Sequence, residues 1–383
     1  MTKVHHTVVV AGAGGIGRAV ALLLAEWAAF DVEIWIGDAR PEAAREAASW
    51  LTQNPNPSRP VKVHPFHLPA EGQNDEFRAA LSAGEILLDC LPGGEAPRMA
   101  RLAREYDLHY ANLTEYVAET EEVARIAEGS QRGFLLQTGL APGFINVLGH
   151  KLFQDFCRDH RVEKVDSLTM RVGALPLNAL PPHYYAFTWS SIGVATEYVK
   201  DAIVVRNGVT TTAPSLTEIE TVQLGTLRLE EALTSGGAAD LPHALAGKVD
   251  RLDYKTYRHP GHYAWVQGLL DAQPAGADRI AELERAMLAA VPAVEDDQIA
   301  LYAAVEGPDH RGVRQRKEQA LVIPATTVGG HKLRAIQSTT AAGLAESARL
   351  LLSGSYSGVV LQSQIDPTDY LSGIFIWRVY FQH

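Results

Sequence analysis

The chain is 383 residues long, 46% hydrophobic and 21% charged, a composition that excludes disorder and predicts two domains, since a single hydrophobic core stops growing near about 250–300 residues. A formal net charge of −11 argues against a nucleic-acid partner, and no apolar run approaches the roughly eighteen residues of a membrane span. The only cysteines, Cys90 and Cys157, provide neither a disulfide framework nor a CxxC motif, and the N-terminus leads directly into an apolar strand, so a reducing cytoplasm is the expected location.

Short β-branched runs alternate with alanine-rich amphipathic stretches over the first 137 residues, the pattern of strands and helices in a parallel α/β sheet. Strands are predicted at 6–11 (HTVVVA), 32–36 (VEIWI), 61–67 (VKVHPFH), 86–89 (ILLD), 109–112 (HYAN) and 133–137 (GFLLQ). Helices are predicted at 16–29, 41–53, 74–82, 95–106 and 119–130. Right-handed crossovers between parallel strands then give a doubly wound sheet with helices on both faces. After Gly139 the character changes: Pro142 precedes the apolar run FINVLGHKLF, where a first helical turn tolerates proline.

Beyond this crossing the sequence predicts a strand at 165–172, a Gly/Pro loop from Gly173 to Pro182, aromatic strands at 184–189 and 263–266, and a hairpin at Asn207-Gly208 between VVR and VTTT. The second domain therefore reads as mixed α+β. A long alanine-rich helix is expected at 338–353, returning to pack on the first domain. The predicted partition is 1–139 for the first domain, completed by that helix, with 140–337 and 354–383 forming the second.

Val8 to Gly17 read VVVAGAGGIG, with Gly12, Gly14 and Gly17 in GxGxxG register between a strand and a helix. In that context the motif marks a dinucleotide-binding Rossmann turn. The first glycine permits the tight turn, the second the approach of a pyrophosphate, and the third close helix-to-strand packing. The helix start at Gly15 and Ile16 presents unpaired N–H groups to the phosphates. Asp38 closes the second strand 21 residues beyond Gly17, where a carboxylate accepts from the adenosine ribose hydroxyls and repels a 2′-phosphate, which favours NAD. Arg40 keeps NADP open, since a guanidinium there can pair with that phosphate. Leu91 and Pro92, in the loop that ends the fourth strand, are expected against the cofactor. Cys90 reads as a small buried residue of that strand.

Four stretches of the second half decide between dehydrogenase types: QTGLAPGF at 137–144, RVGALPLNALPPHYYAFTWSSIGVATEY at 171–198, TSGGAADLP at 234–242 and LDYKTYRHPGH at 252–262. With the glycine-rich turn, their order and spacing resemble the saccharopine dehydrogenase and lysine 6-dehydrogenase family across nearly the whole chain. The resembling segments are Gly139-Leu140-Ala141-Pro142-Gly143 at the crossing, Gly173-Ala174-Leu175-Pro176 followed by Trp189-Ser190, and Arg258-His259-Pro260-Gly261-His262. Saccharopine-forming members carry an arginine just after Trp-Ser. Here that stretch reads Ser190-Ser191-Ile192-Gly193, and the continuation Gly193-Val194-Ala195-Thr196-Glu197-Tyr198 with the run SGG…LP…DYKT resembles the lysine 6-dehydrogenase branch.

The resemblance implies a homodimer formed through the second domain, a small amino acid or imine as substrate, Gly139 beside the cofactor, and Pro176 and Ser190 beside the substrate. Oxidation at a carbon bonded to nitrogen needs a base and a group that stabilises the developing iminium. Glu115, in ANLTEY directly after the fifth strand, is the first candidate, with Tyr185 and His262 as further catalytic candidates. Arg258 is expected to clamp a substrate carboxylate or to close an internal ion pair. The H-x-x-H spacing of His259 and His262 does not predict a metal, because Pro260 and Gly261 disfavour the helix that would align both rings. Two other readings stay open: an enzyme of the carboxynorspermidine type that condenses an amine with an aldehyde reductively, and a non-catalytic dinucleotide sensor or scaffold.

Overall fold

The computed structural model describes residues 4–53, 60–274, 276 and 278–382. The chain begins with β1 (His5–Ala11), α1 (Gly15–Trp27), β2 (Asp31–Asp38), α2 (Pro41–Thr52), β3 (Lys62–His67), α3 (Asp75–Ala83), β4 (Ile86–Asp89), α4 (Ala96–Glu105), β5 (His109–Asn112), α5 (Val117–Ala127) and β6 (Gly133–Leu135). It continues with α6 (Phe144–His160), β7 (Val165–Pro176), α7 (Ser191–Val199), β8 (Ala202–Arg206), β9 (Val209–Ala213), β10 (Glu220–Leu224), β11 (Leu227–Leu233), α8 (Leu241–Ala244), β12 (Val249–Arg258), α9 (His262–Asp271), α10 (Arg279–Ala290), β13 (Asp297–Pro308) and β14 (Arg314–Pro324). The last stretch holds β15 (Thr326–Val328), β16 (His331–Leu333), α11 (Ala335–Leu352), β17 (Gly358–Val360) and α12 (Pro367–Ser372).

Two compact units result, the first made of residues up to Phe144, Thr326–Leu333 and the chain from Gln337 on. Its seven strands run in the order β17-β6-β5-β4-β1-β2-β3, all pairs parallel. Parallel strands covered on both faces read as continuous apolar runs, and Val8, Val9, Val10, Ile86, Leu87 and Leu88 are fully buried. The order turns outward in both directions from the β1/β4 pair, the switch point at whose carboxyl edge ligands bind in open α/β sheets.

The predicted assignment of 354–383 to the second domain is corrected. Val360 of β17 pairs with Leu135 of β6, extending the first sheet by a seventh strand. Gln362 Nε2 then donates to the carbonyls of Leu136 and Gln137 at 2.7 and 2.9 Å, and Tyr380 stacks on Phe144 with ring centroids 3.6 Å apart. The helix expected at 338–353 spans Ala335–Leu352, and from Gln337 it belongs to the first unit. A β-carbon at Gly343 would strike the carbonyl oxygens of Thr138 and Gly139, so this helix lies against the backbone that follows β6. Buried Glu346, on the same helix, accepts the Phe375 N–H at 3.3 Å and pairs with Arg349.

The second unit is a mixed sheet, β10-β11-β12-β7-β13-β14, with β8 pairing β12 and β9 pairing β8. The Asn207-Gly208 hairpin is present: Arg206 pairs with Val209, and both turn residues have positive φ, 53° and 76°, as a two-residue turn of this hand requires. Three expectations are corrected. β7 runs on to Pro176, because every residue of Gly173–Pro176 pairs with β13, so the loop is shorter than predicted. Residues 184–189 form no strand beyond one bridge, Phe187 to Ala293. The aromatic run at 263–266 lies inside α9, where Tyr263 and Val266 pack with Tyr185, Phe187, Tyr198, Leu283 and Met287 in this unit's main core.

Candidate functional site

The first unit builds its site on the turn between β1 and α1. Gly12 has φ 103° and its N–H donates to the Gly37 carbonyl at 2.8 Å. A β-carbon at Gly12 would lie 2.9 Å from the Cys90 carbonyl oxygen. One at Gly17 would collide with the Gly12 carbonyl oxygen. Gly14 differs: its φ is −72°, and a β-carbon there would meet nothing within 4 Å. The space above the Gly14 backbone is open, as the close approach of a pyrophosphate to that backbone needs.

Gly14 and Gly15 are exposed and Ile16 partly so. The N-terminus of α1 has no side-chain cap and no acidic residue in its first turn. Its unpaired N–H groups and dipole therefore suit a pyrophosphate. Asp38 stands beside this turn, Oδ2 accepting the Ala13 N–H at 3.1 Å and Oδ1 the Arg40 N–H at 3.0 Å. The carboxylate thus ties the glycine turn to the start of α2. The Arg40 side chain is exposed.

The loop after β4 is held from beneath. Asp89 is buried, accepts the Leu91 N–H at 3.0 Å and receives the Tyr110 hydroxyl at 2.7 Å. Burial pushes its carboxyl up to about 6, while the Tyr110 hydrogen bond pulls it down. Burial also holds the Cys90 thiol protonated, well above its usual range. Leu91 lies against Gly12, its Cδ2 3.3 Å from where a β-carbon there would stand. The Pro92 carbonyl accepts the Glu95 N–H at 2.9 Å as the chain enters α4.

Glu115 follows β5 on the same carboxyl edge. The residue is partly exposed, but burial of its carboxyl pushes it up to about 7, and no charged neighbour contributes to the shift. Asn112, the last residue of β5, accepts the Gln137 N–H at 2.9 Å through Oδ1. Gly139 is buried in a tight turn whose carbonyl accepts the Phe144 N–H at 2.9 Å.

In the second unit the candidates Tyr185, Arg258 and His262 come together in the protein interior. Arg258 is 2% exposed. It pairs with Glu197 at 2.6 Å, donates through Nε to the Tyr198 hydroxyl at 2.6 Å, and donates through Nη1 to the Tyr257 carbonyl. Its guanidinium carbon lies 5.0 Å from the Tyr185 ring centroid. Tyr198 and His262 Nε2 are 2.9 Å apart, and His262 Nδ1 lies 2.8 Å from the His183 carbonyl. Only a donor satisfies a carbonyl, so the imidazole carries its proton on Nδ1 and accepts from Tyr198 on Nε2.

Burial, with the Arg258 charge, pushes His262 down to about 3, and burial pushes Tyr185 up to about 12. Neither changes protonation near neutral pH. Arg258 thus closes the internal ion pair that is one of its two expected roles, in a buried network that includes Tyr185 and His262. Two substrate candidates also make local hydrogen bonds. Ser190 Oγ caps α7 by accepting the Gly193 N–H at 3.2 Å, and the Pro176 carbonyl receives His259 Nε2 at 3.0 Å.

Comparison with known proteins settles the family. Residues 8–133 match the saccharopine dehydrogenase NADP binding domain, and residues 139–374 match the saccharopine dehydrogenase C-terminal domain. The chain belongs to the saccharopine dehydrogenase family. Its fold is similar to that of saccharopine dehydrogenase (L-Glu forming) from Saccharomyces cerevisiae, at TM-score 0.73 and 14% identity, covering 96% of both chains. It is also similar to homospermidine synthase from Legionella pneumophila in complex with NAD, at TM-score 0.65 and 14% identity, covering 99% of this chain and 91% of that one.

Family membership and the cradle at Gly14 make the protein an NAD(P)-binding oxidoreductase. Among the described residues no helix is long and apolar enough to cross a membrane. Sequence reasoning missed Asp89, Tyr110 and Glu197. Asp89 left a signal, an acidic residue closing an otherwise apolar strand, whereas the partners of Tyr110 and Glu197 are distant in the chain.

The internal assignment of Arg258 has a measurable consequence. Arg258→Met removes the cation paired with the buried Glu197 carboxylate, a change that costs about 3–5 kcal/mol. Chemical denaturation of the variant is expected to show that loss at neutral pH. Native stability combined with weakened substrate binding would return Arg258 to the role of clamp.

Proposed function

We propose that the protein is an NAD-preferring dehydrogenase acting on a carbon–nitrogen bond of an amino acid or imine, with Glu115 as the group that serves the reacting nitrogen. The observation that carries this is the Glu115 carboxyl at the carboxyl edge of β5, desolvated without a compensating cation and raised to about 7. A base raised to that range is matched to proton transfer at neutral pH. When bound, NAD(P) supplies the nicotinamide carbon that takes hydride.

Glu115 accepts the proton of the substrate ammonium and passes it to water, which restores the carboxylate and leaves a lone pair on nitrogen. As the carbon–hydrogen bond gives up hydride, nitrogen becomes iminium. The carboxylate stabilises that charge more than it stabilised the neutral amine, which is the condition for accelerating the step. The glycine turn and the first turn of α1 bind the pyrophosphate, and Asp38 receives the adenosine ribose. The saccharopine dehydrogenase and lysine 6-dehydrogenase resemblance supports this bond class and the reading of the protein as a homodimer, and two cysteines without a disulfide framework support a reducing cytoplasm as its setting. Reductive condensation of an amine with an aldehyde employs the same groups in reverse, and paired amine and aldehyde substrates distinguish the two.

Glu115→Gln retains size and hydrogen bonding while deleting charge. Turnover of the best substrate in a panel of L-lysine, saccharopine and polyamines is expected to fall about a hundredfold or more. NAD affinity should change little. Near-native turnover would make Glu115 structural. In the wild type, kcat/KM is expected to rise with pH through about 7 as Glu115 ionises.

Cofactor choice is tested at Asp38. Asp38→Ala should weaken NAD and narrow the preference over NADP, while NADP gains little because the Ala13 N–H loses its acceptor. A wild-type protein that binds NADP more tightly than NAD contradicts the preference.

A further inference from the structure

We propose that Gly93 is a positioning residue: the loop after β4 forms a fixed wall against which Thr114 and Tyr116 are seated, and this seating sets where Glu115 stands. The inference rests on the reading of Glu115 given above and concerns what holds that carboxylate in place. Gly93 has no left-handed φ that would demand glycine. What demands it is space. A β-carbon at Gly93 would collide with Thr114 Oγ1 and lie 2.9–3.0 Å from two atoms of the Tyr116 ring. These two residues flank Glu115 in sequence, and the contact leaves no room for a single methyl group.

The wall itself does not yield. Asp89, buried at the end of β4, receives both the Leu91 N–H and the Tyr110 hydroxyl. The same hydroxyl lies 3.2 Å from the Ala96 carbonyl at the start of α4. Pro92 fixes its own φ, and the Pro92 carbonyl is engaged by Glu95. The loop is therefore tied at its base, at its turn and at the helix that follows. On the opposite side Thr114 Oγ1 accepts the Tyr116 N–H at 3.3 Å, bracing the two contact residues against one another across Glu115. Tyr116 is extended, with φ −75° and ψ 125°. Residue 115 is therefore held between two neighbours that are both seated on the wall.

Gly93→Ala forces Thr114 and Tyr116 off the wall and moves Glu115 with them. A displacement of about 1 Å at a reacting group costs on the order of a hundredfold in rate, so a fall of tenfold or more in turnover is expected. The decisive readout does not depend on the substrate. In protein labelled with 13C at the glutamate side-chain carboxyl, the Glu115 resonance is assigned by its absence in Glu115→Gln and titrated with pH. The wild-type midpoint is expected at about 7. In Gly93→Ala it should fall toward the ordinary carboxylate range as water reaches the group, and Gly93→Ala combined with Thr114→Ala, which restores space, should recover part of the shift.

A Glu115 midpoint unmoved in Gly93→Ala overturns the proposal, whatever happens to turnover. If Gly93→Ala fails to fold, Tyr116→Leu removes the ring from the same contact, and an unmoved midpoint there is equally contradictory. A midpoint that moves while Glu115→Gln retains turnover upholds the positioning and overturns only the catalytic reading of Glu115.

Discussion

The site of the first unit depends on how closely α1 approaches the glycine turn that precedes it. Gly17 stands where any β-carbon would collide with the Gly12 carbonyl oxygen. Gly12 in turn donates to Gly37 at the end of β2 and abuts the Cys90 carbonyl beyond β4. The Asp38 carboxylate closes the arrangement by accepting the Ala13 N–H. The carboxyl ends of β1, β2 and β4 are thereby laced together at the switch point of the sheet. The uncapped N-terminus of α1 is held there as part of the scaffold, so binding a pyrophosphate requires little new ordering. Preorganisation of this kind is where binding sites save conformational entropy.

The two units use charge differently. On the carboxyl edge of the first sheet, Glu115 is desolvated without a cation to compensate it, an arrangement that is costly unless something else uses the charge. In the second unit the buried charges satisfy one another. Arg258 pairs with Glu197, Arg171 with Glu231 and Asp253 at 3.0 and 2.8 Å, and Lys255 with Glu231 at 3.2 Å. Such pairs contribute little net stability when formed, yet breaking one is severe. The RHPGH segment belongs to this second pattern. Its two imidazoles grip the carbonyls of Pro176 and His183, on either side of the 177–182 loop.

The first unit was legible almost element by element, because a parallel sheet enforces continuous apolar runs and the glycine spacing has a steric cause at each position. The second unit was less so. Residues 263–266 (YAWV) read as an aromatic strand by composition, but Gly261 at φ 97° opens a helix there, and Tyr263 and Val266 join the core. Residues 184–189 have strand-like composition but almost no ladder partner. The tail was misplaced because β17 has only three residues; its membership in the first sheet arises from a partner more than two hundred positions earlier. Among candidate site residues, those on the glycine turn were visible because their requirements are local. The network around Arg258 and His262 was not legible because their partners, Glu197, Tyr198 and His183, lie about 60–80 positions away.

Hydride transfer from a carbon bonded to nitrogen is the central claim, and isotopic labelling tests it directly. The protein is incubated with NAD and with L-lysine, saccharopine or polyamines deuterated on the nitrogen-bearing carbons, and C4 of the reduced nicotinamide is examined by NMR. Deuterium appearing at C4 with at least one of these amines, with turnover slowed relative to the unlabelled compound, is the predicted result. Reduction of the dinucleotide by alcohols or aldehydes alone, with no label from any amine, would contradict the account.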